Sequence, residues 1–364
     1  MAYTTIDDPS VYFQIGLYTG NGNDNKSINL GSANFTGEYV GQDIQPDWVW
    51  IKQRSGATRN HSLTDSTRGV TKHLSSDLDE AEATASNRFK SFDSNGFTLG
   101  DSGYTNDADN PFVAWVWKCN GGTRTTNTES GNNPGGGYQA NTTAGFSIVD
   151  YTGTGAAGTM AHGLGAVPHW ILFKSRSEAS NDWAVYHHRN TAAPETDFLR
   201  LNTNAATTDN ANFMNDTAPT SSVFTVNTGS KVNSDGETYI AYVWREVQGF
   251  SKFGQYYGNG NAEGPFVYTG FKPAWVMVKK TGATHSWYTQ YQGEGDTHGN
   301  PVKFSLTLDN PQVDISENSM DFLSNGFKLR TSGNGHNTND ATYAYAAFAE
   351  SPFVTSNGTP GVAG

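Results

Sequence analysis

Apolar residues along this chain come in short runs, and several of the runs alternate with polar residues at period two. WVMVK (275–279) and WYTQY (287–291) do so, as do KFSLTL (303–308) and GFKLR (326–330). Val, Ile, Tyr, Trp and Thr dominate the runs, and Asn-Gly, Asp-Gly or Gly-Asn pairs separate them, which predicts strands joined by tight turns. One stretch departs from this. Leu78–Ala85 (LDEAEATA) is rich in Ala and Glu and predicts a short helix.

The runs repeat. A Tyr-x-Gly-x-Gly motif at 18–22 recurs at 151–155 and 256–260, each time ahead of a Pro-x-Trp strand: PDWVWIK (46–52), PHWILFK (168–174) and PAWVMVK (273–279). Beyond the Trp, SNGFTL (94–99) matches SNGFKL (324–329), with SSVFTV (221–226) as a weaker middle copy. Each unit closes on an aromatic run: FVAWVW (112–117), YIAYVW (239–244) or YAYAAF (343–348). This order predicts an all-β fold of three tandem antiparallel β-sandwich modules, jelly-roll or concanavalin-like, with roughly seven or eight strands each. The expected boundaries are 1–120 for the first module with an N-terminal arm, 146–248 for the second, and 249–364 for the third with a C-terminal tail. Residues 121–145, rich in Gly, Asn and Thr, predict a linker or long surface loop.

A Trp in a strand can be a ligand platform or a core residue. Trp48, Trp170 and Trp275 share one phase with Trp50, Leu172 and Met277, and in the first two copies the intervening positions are apolar too. Such a strand should be covered on both faces. Trp48, Trp170 and Trp275 are therefore expected core anchors, with Trp117, Trp244 and Phe348 from the closing runs. Proline opens the strand where a missing N–H is tolerated, and Lys52, Lys174 and Lys279 should mark its emergence into solvent.

Composition narrows the function. Only 35% of residues are hydrophobic and 16% charged, with 41 Gly among 364 residues, and the aromatic content of 13% argues against disorder. A net charge of −12 without a basic stripe speaks against a nucleic-acid partner. Cys119 is the single cysteine, so no intrachain disulfide forms, and its place after an apolar run predicts a small buried residue. The N-terminal segment lacks the basic and apolar regions of a secretory signal, and no apolar run is long enough to insert in a membrane. The expectation is a protein made in a cytoplasm that leaves by lysis or by assembly into a particle.

Candidate chemistry is sparse. His187 and His188 are adjacent on a strand and should point to opposite faces, away from a shared metal ion. Across the units His187 aligns with Asp65 and Tyr291, and His61 with Trp183 and Trp287, so the polar chemistry varies within a constant apolar frame. A polysaccharide-cleaving enzyme would need paired carboxylates. The clusters Asp77, Asp79, Glu80, Glu82 and Asp101, Asp107, Asp109 could bind Ca²⁺ through oxygen ligands, but no Ca²⁺-binding loop motif accompanies them and they read instead as solvated loops. No nucleophile elbow and no phosphate-cradling loop is present, and the Gly-rich motifs read as turns. No catalytic residue, metal ligand or cofactor is assigned. Tyr104, Tyr138, Tyr257 and Tyr268 are candidate glycan contacts, since loop aromatics stack on sugar rings.

The succession YTGNG, QPDWVWIK, STRGVTKHLSSD, SFDSNGFTLG and a W-x-W run resembles the repeated β modules of virion proteins from tailed bacteriophages, marine ones especially. APETDFLRLN, FLSNGFKLR and AFAESPFV extend the resemblance over nearly the whole chain. It implies a non-enzymatic structural component exposed on the particle, as capsid decoration or as a tail fibre or adhesin. Its implied partners are other virion proteins, further copies of itself in a homo-oligomer, and host-surface glycans. The first module begins close to residue 12 and no heptad pattern is visible, which favours a compact decoration protein or short adhesin over a long fibre. The alternatives are a free-standing carbohydrate-binding lectin and, less favoured, a polysaccharide-cleaving enzyme.

Overall fold

The computed structural model describes residues 3–31, 41–292, 305–315 and 319–361. The fold is all-β, built from antiparallel sheets with only two four-residue α-helical turns, Gly103–Asn106 and Ser230–Asn233, among the described residues.

Three main sheets share one strand order. In the first, Phe13–Thr19 pairs with Pro111–Trp117, which pairs with the Trp strand Trp48–Gln53, which pairs with Ser62–Asp65. The second repeats this with Phe146–Thr152, Thr238–Trp244, Trp170–Ser175 and Ala184–His187. In the third the strands are Ser251–Tyr257, Thr342–Pro352, Phe271–Lys280 and Tyr288–Tyr291. Registers correspond as well: Trp48 lies opposite Trp117, Trp170 opposite Trp244, and Trp275 opposite Phe348.

Period-two alternation gives each Trp strand two apolar faces, and each face has its own cover. Val49 and Ile51, Ile171 and Phe173, and Val276 and Val278 face smaller sheets that include Gly96–Leu99, Val223–Val226 and Gly326–Leu329. The opposite faces meet each other. Trp48, Trp50, Trp115, Trp117, Trp170, Trp244, Trp275 and Phe348 belong to one central aromatic cluster drawn from all three sheets. Trp117 is its pivot, with its ring centroid 4.6 Å from that of Trp48, 6.2 Å from Trp244, 6.3 Å from Trp275 and 5.5 Å from Phe348.

The Tyr-x-Gly-x-Gly motifs are turn locks. The hydroxyls of Tyr18, Tyr151 and Tyr256 donate to the carbonyls of Thr105, Val232 and His336, each at 2.7 Å. The residue after each carbonyl is a buried Asn whose side-chain oxygen accepts the N–H of Asn21, Thr154 or Asn259. The first glycine is required by close approach: a Cβ on Gly153 would lie 2.1 Å from the Ser234 carbonyl oxygen.

Several expectations are corrected. Leu78–Ala85 is not helical. Ala83–Thr84 pairs with Lys72–His73, and Glu82 turns inward to two arginines, outweighing the weak helix preference of so short a segment. The stretch 121–145 is partly sheet: Thr125–Asn127 pairs with Gly136–Asn141, which pairs with Phe146–Thr152 and widens the second sheet. Lys52, Lys174 and Lys279 do not emerge into solvent. All three are 0% exposed, and their ammonium groups donate to backbone carbonyls of Gln53, Ser175 and Lys280. The strand pattern revealed two apolar faces and carried no information about what closes over the strand end.

Candidate functional site

The six anchors Trp48, Trp117, Trp170, Trp244, Trp275 and Phe348 lie at the centre, each no more than 1% exposed. They present no surface to a ligand. Polar residues around them tie the sheets together in a cycle. The Trp183 indole N–H donates to the Ser75 carbonyl at 2.9 Å, and that of Trp287 to the Arg200 carbonyl at 2.7 Å. His61 holds the equivalent place: its Nδ1 accepts from Trp50, so its proton sits on Nε2, which donates to the Thr307 carbonyl at 3.0 Å. The second aligned column closes the cycle in the other sense. Tyr242 donates to Asp65 at 2.7 Å, His187 Nε2 bonds the Tyr345 carbonyl at 3.0 Å, and Arg54 donates to the Tyr291 hydroxyl at 3.2 Å.

The charged part of this frame is buried. Arg68 pairs with Asp65, reaches Glu82 at 3.1 Å and donates to the Tyr242 hydroxyl at 3.1 Å, while Glu82 also accepts two bonds of 3.0 Å from Arg176. Asp77, expected in a solvated loop, is 8% exposed and accepts the His61 backbone N–H; burial raises its carboxyl to about 6. Burial lowers Lys52, Lys174 and Lys279 to about 8. Burial holds His61 well below its ordinary value, and lowers His187 to about 3. His187 and His188 bond separate backbone carbonyls, of Tyr345 and Phe253. Cys119 is buried, with its sulfur 3.1 Å from the Gln139 carbonyl. Among the described residues no cluster of three or more His, Cys, Asp or Glu is placed to hold a metal ion, and no helix is long and apolar enough to cross a membrane.

The four candidate tyrosines do not converge. Tyr257 and Tyr268 are 61% and 54% exposed. Tyr268 lies beside Phe266 on the strand Phe266–Tyr268, its hydroxyl 3.2 Å from that of Tyr3. Tyr257 borders a cleft of about 360 Å³ with His188, Asn190, Thr191 and Gln255, where the second and third sheets adjoin. Tyr138 is half-buried against the second outer core. Tyr104 stands at a cleft of about 230 Å³ lined also by His73, Arg88, Asn60 and Glu80, and the Arg88 guanidinium lies 3.9 Å from its ring centroid. The face expected to stack on a sugar is thus taken by an arginine. Residue-type reasoning missed His73 and Arg88, because nothing local to either marks the cleft they share.

Fold and site together define an all-β protein whose three main sheets close around a shared aromatic core, with its open clefts at the periphery. The chain belongs to a family described as a domain of unknown function, DUF7483, whose model matches residues 8–352 and so spans all three sheets. No curated protein and no solved structure matches the chain.

Proposed function

We propose that the protein is a non-enzymatic structural component of a tailed-phage virion, exposed on the particle and in contact with host-surface glycans. The observation that carries this reading is where the repeated residues go. The motif Tyr, Gly, Trp and Lys positions are consumed inside one packed body, by the aromatic centre, the turn locks and the buried lysines. Such a body suits display: it holds variable loops in fixed relation to one another. The resemblance to phage β modules supports the particle, and the exposed Tyr257 and Tyr268 support contact with sugars. Its partners are other virion proteins and further copies of itself.

Antibodies against the protein should label purified particles at a fixed position in electron micrographs, and the purified protein should sediment as a defined oligomer. Particles that carry no label, together with a monomer that binds no host cells, would overturn the proposal. The exposed tyrosines also favour a second reading, a free-standing lectin. That reading predicts glycan-array binding by the soluble protein and unlabelled particles.

A further inference from the structure

The cleft at Tyr104 contains a buried side chain that the fold does not use. His73 is 1% exposed, yet neither of its ring nitrogens has a hydrogen-bond partner among the described residues. An imidazole placed this way costs the folded state hydrogen bonds that it had in water. The other buried histidines of the inter-sheet frame, His61 and His187, use both ring nitrogens. His336 also leaves Nε2 unpaired, but His73 lacks a partner at both nitrogens and lines a cleft, which marks it as a group held ready for something the chain does not supply.

Its surroundings define the chemistry. Burial and the nearby Arg88 and Arg68 keep the ring neutral, lowering it to about 3, so it carries one N–H donor and one acceptor nitrogen, both closed to solvent by the surrounding packing. Arg88 lines the same cleft, its guanidinium held against the Tyr104 ring by cation–π attraction, with Arg59 5.5 Å from that ring. The exposed Glu80 stands at the opening, Asn60 adds an amide, and Leu78 adds apolar wall. One arginine and one glutamate balance in charge, which fits a neutral ligand. A donor, an acceptor and a fixed guanidinium side by side match neighbouring hydroxyls, each of which both donates and accepts. The volume of about 230 Å³ lies below the range of drug-sized pockets and suits a single ring.

We propose that the cleft lined by His73, Arg88, Tyr104, Asn60 and Glu80 binds a neutral hexopyranose, with Arg88 and, once its ring turns into the cleft, His73 hydrogen-bonding an adjacent pair of its hydroxyls. This adds a site and a ligand class to the glycan contact proposed above, beside the exposed Tyr257 and Tyr268, and rests on that reading. Recognition is by hydrogen bonding, and Tyr104 acts by fixing Arg88.

The test is saturation-transfer NMR on the purified full chain with methyl α-mannopyranoside, methyl β-galactopyranoside and methyl β-glucopyranoside, and with sodium glucuronate as a charged control. At least one neutral glycoside should bind with a millimolar Kd. His73→Leu should weaken it at least tenfold while raising the thermal midpoint, because an unpaired buried imidazole is replaced by an apolar group. Arg88→Gln should weaken it similarly, which keeps the test decisive if His73→Leu fails to fold, and Val167→Ala, at an exposed position outside the cleft, should leave it unchanged. Binding by none of the three glycosides, binding by glucuronate alone, or binding that survives both cleft variants would overturn the site. Because the assay uses free protein, its failure leaves the outcome of particle labelling untouched.

Discussion

Trp183 and Ser75 lie 108 positions apart in different repeats, yet the Trp183 indole N–H donates to the Ser75 carbonyl at 2.9 Å. Trp287 makes the same bond to Arg200 in the next repeat, so one position does one job twice around the cycle. Trp183→Phe and Trp287→Phe each leave a half-buried carbonyl without that donor and should cost about 1–3 kcal/mol. Urea unfolding should show similar losses for both, since the two sites are equivalent.

Arg68 makes four contacts where the first two repeats meet, to Asp65, Glu82 and the Leu63 carbonyl of its own repeat and to Tyr242 of the next. Arg68→Met leaves Asp65 with its main counter-charge removed and weakens the hold on Glu82. The expected cost is about 3–5 kcal/mol, read as a lower denaturation midpoint with unchanged m-value.

Acid should unfold the protein cooperatively. Burial lowers His73, His187 and His336 to about 3 and His162 and His169 to about 4. In the unfolded chain they titrate near 6.5, so between those values the unfolded state binds more protons. Stability is therefore present in full above about pH 6.5 and is lost as pH falls, by about 1.4 kcal/mol per pH unit for each such histidine. Asp77, raised to about 6, opposes this with one proton held by the folded state. Equilibrium unfolding between pH 7 and pH 4 should show net uptake of several protons.

The buried lysines act at the other end of the scale. Lys52, Lys174 and Lys279 are lowered to about 8, against about 10.4 when unfolded. Below pH 8 both states are charged and the full cost of burial is present. From about 8 to about 10.4 the unfolded state binds more protons, so these three sites add stability as pH rises. Lys279→Met should reduce that alkaline gain, measured as the difference in unfolding free energy between pH 8 and pH 10.

Glycines separate close approach from backbone freedom. Gly153→Ala drives a Cβ into the Ser234 carbonyl and should cost about 3 kcal/mol. Gly236, with φ +74° and nothing within 4 Å of a Cβ, should lose only about 1 kcal/mol as Ala. Thermal melts of the two variants give the comparison.

The strands and the turn motifs were legible in the sequence because both are local: alternation at Trp275, Met277 and Lys279, and the spacing of Tyr18, Gly20 and Gly22. The shared centre was not, because a Trp strand looks the same whether its second face meets its own sheet or two others. Lys174 illustrates the limit. Its nitrogen lies 2.9 Å from the Asn181 carbonyl and 3.3 Å from that of Asp79, a residue of another repeat. Strand Gly136–Asn141 was hidden by its glycines, and its pairing with Phe146–Thr152 comes from a neighbour with strong strand preference. His73 and Arg88 come together only through the fold, so no window of sequence contains their cleft.

The cyclic contacts from first repeat to second, second to third, and third to first have the form of a head-to-tail trimer interface that closes on itself. Three separate chains joined this way would fall apart on dilution, since their association would depend on concentration. Here the peptide backbone supplies the stoichiometry, so the body persists as a single molecule at any dilution. Covalent connection also frees each third to change alone: a substitution in one loop appears once, and three unlike surfaces can be carried on one nearly symmetric frame.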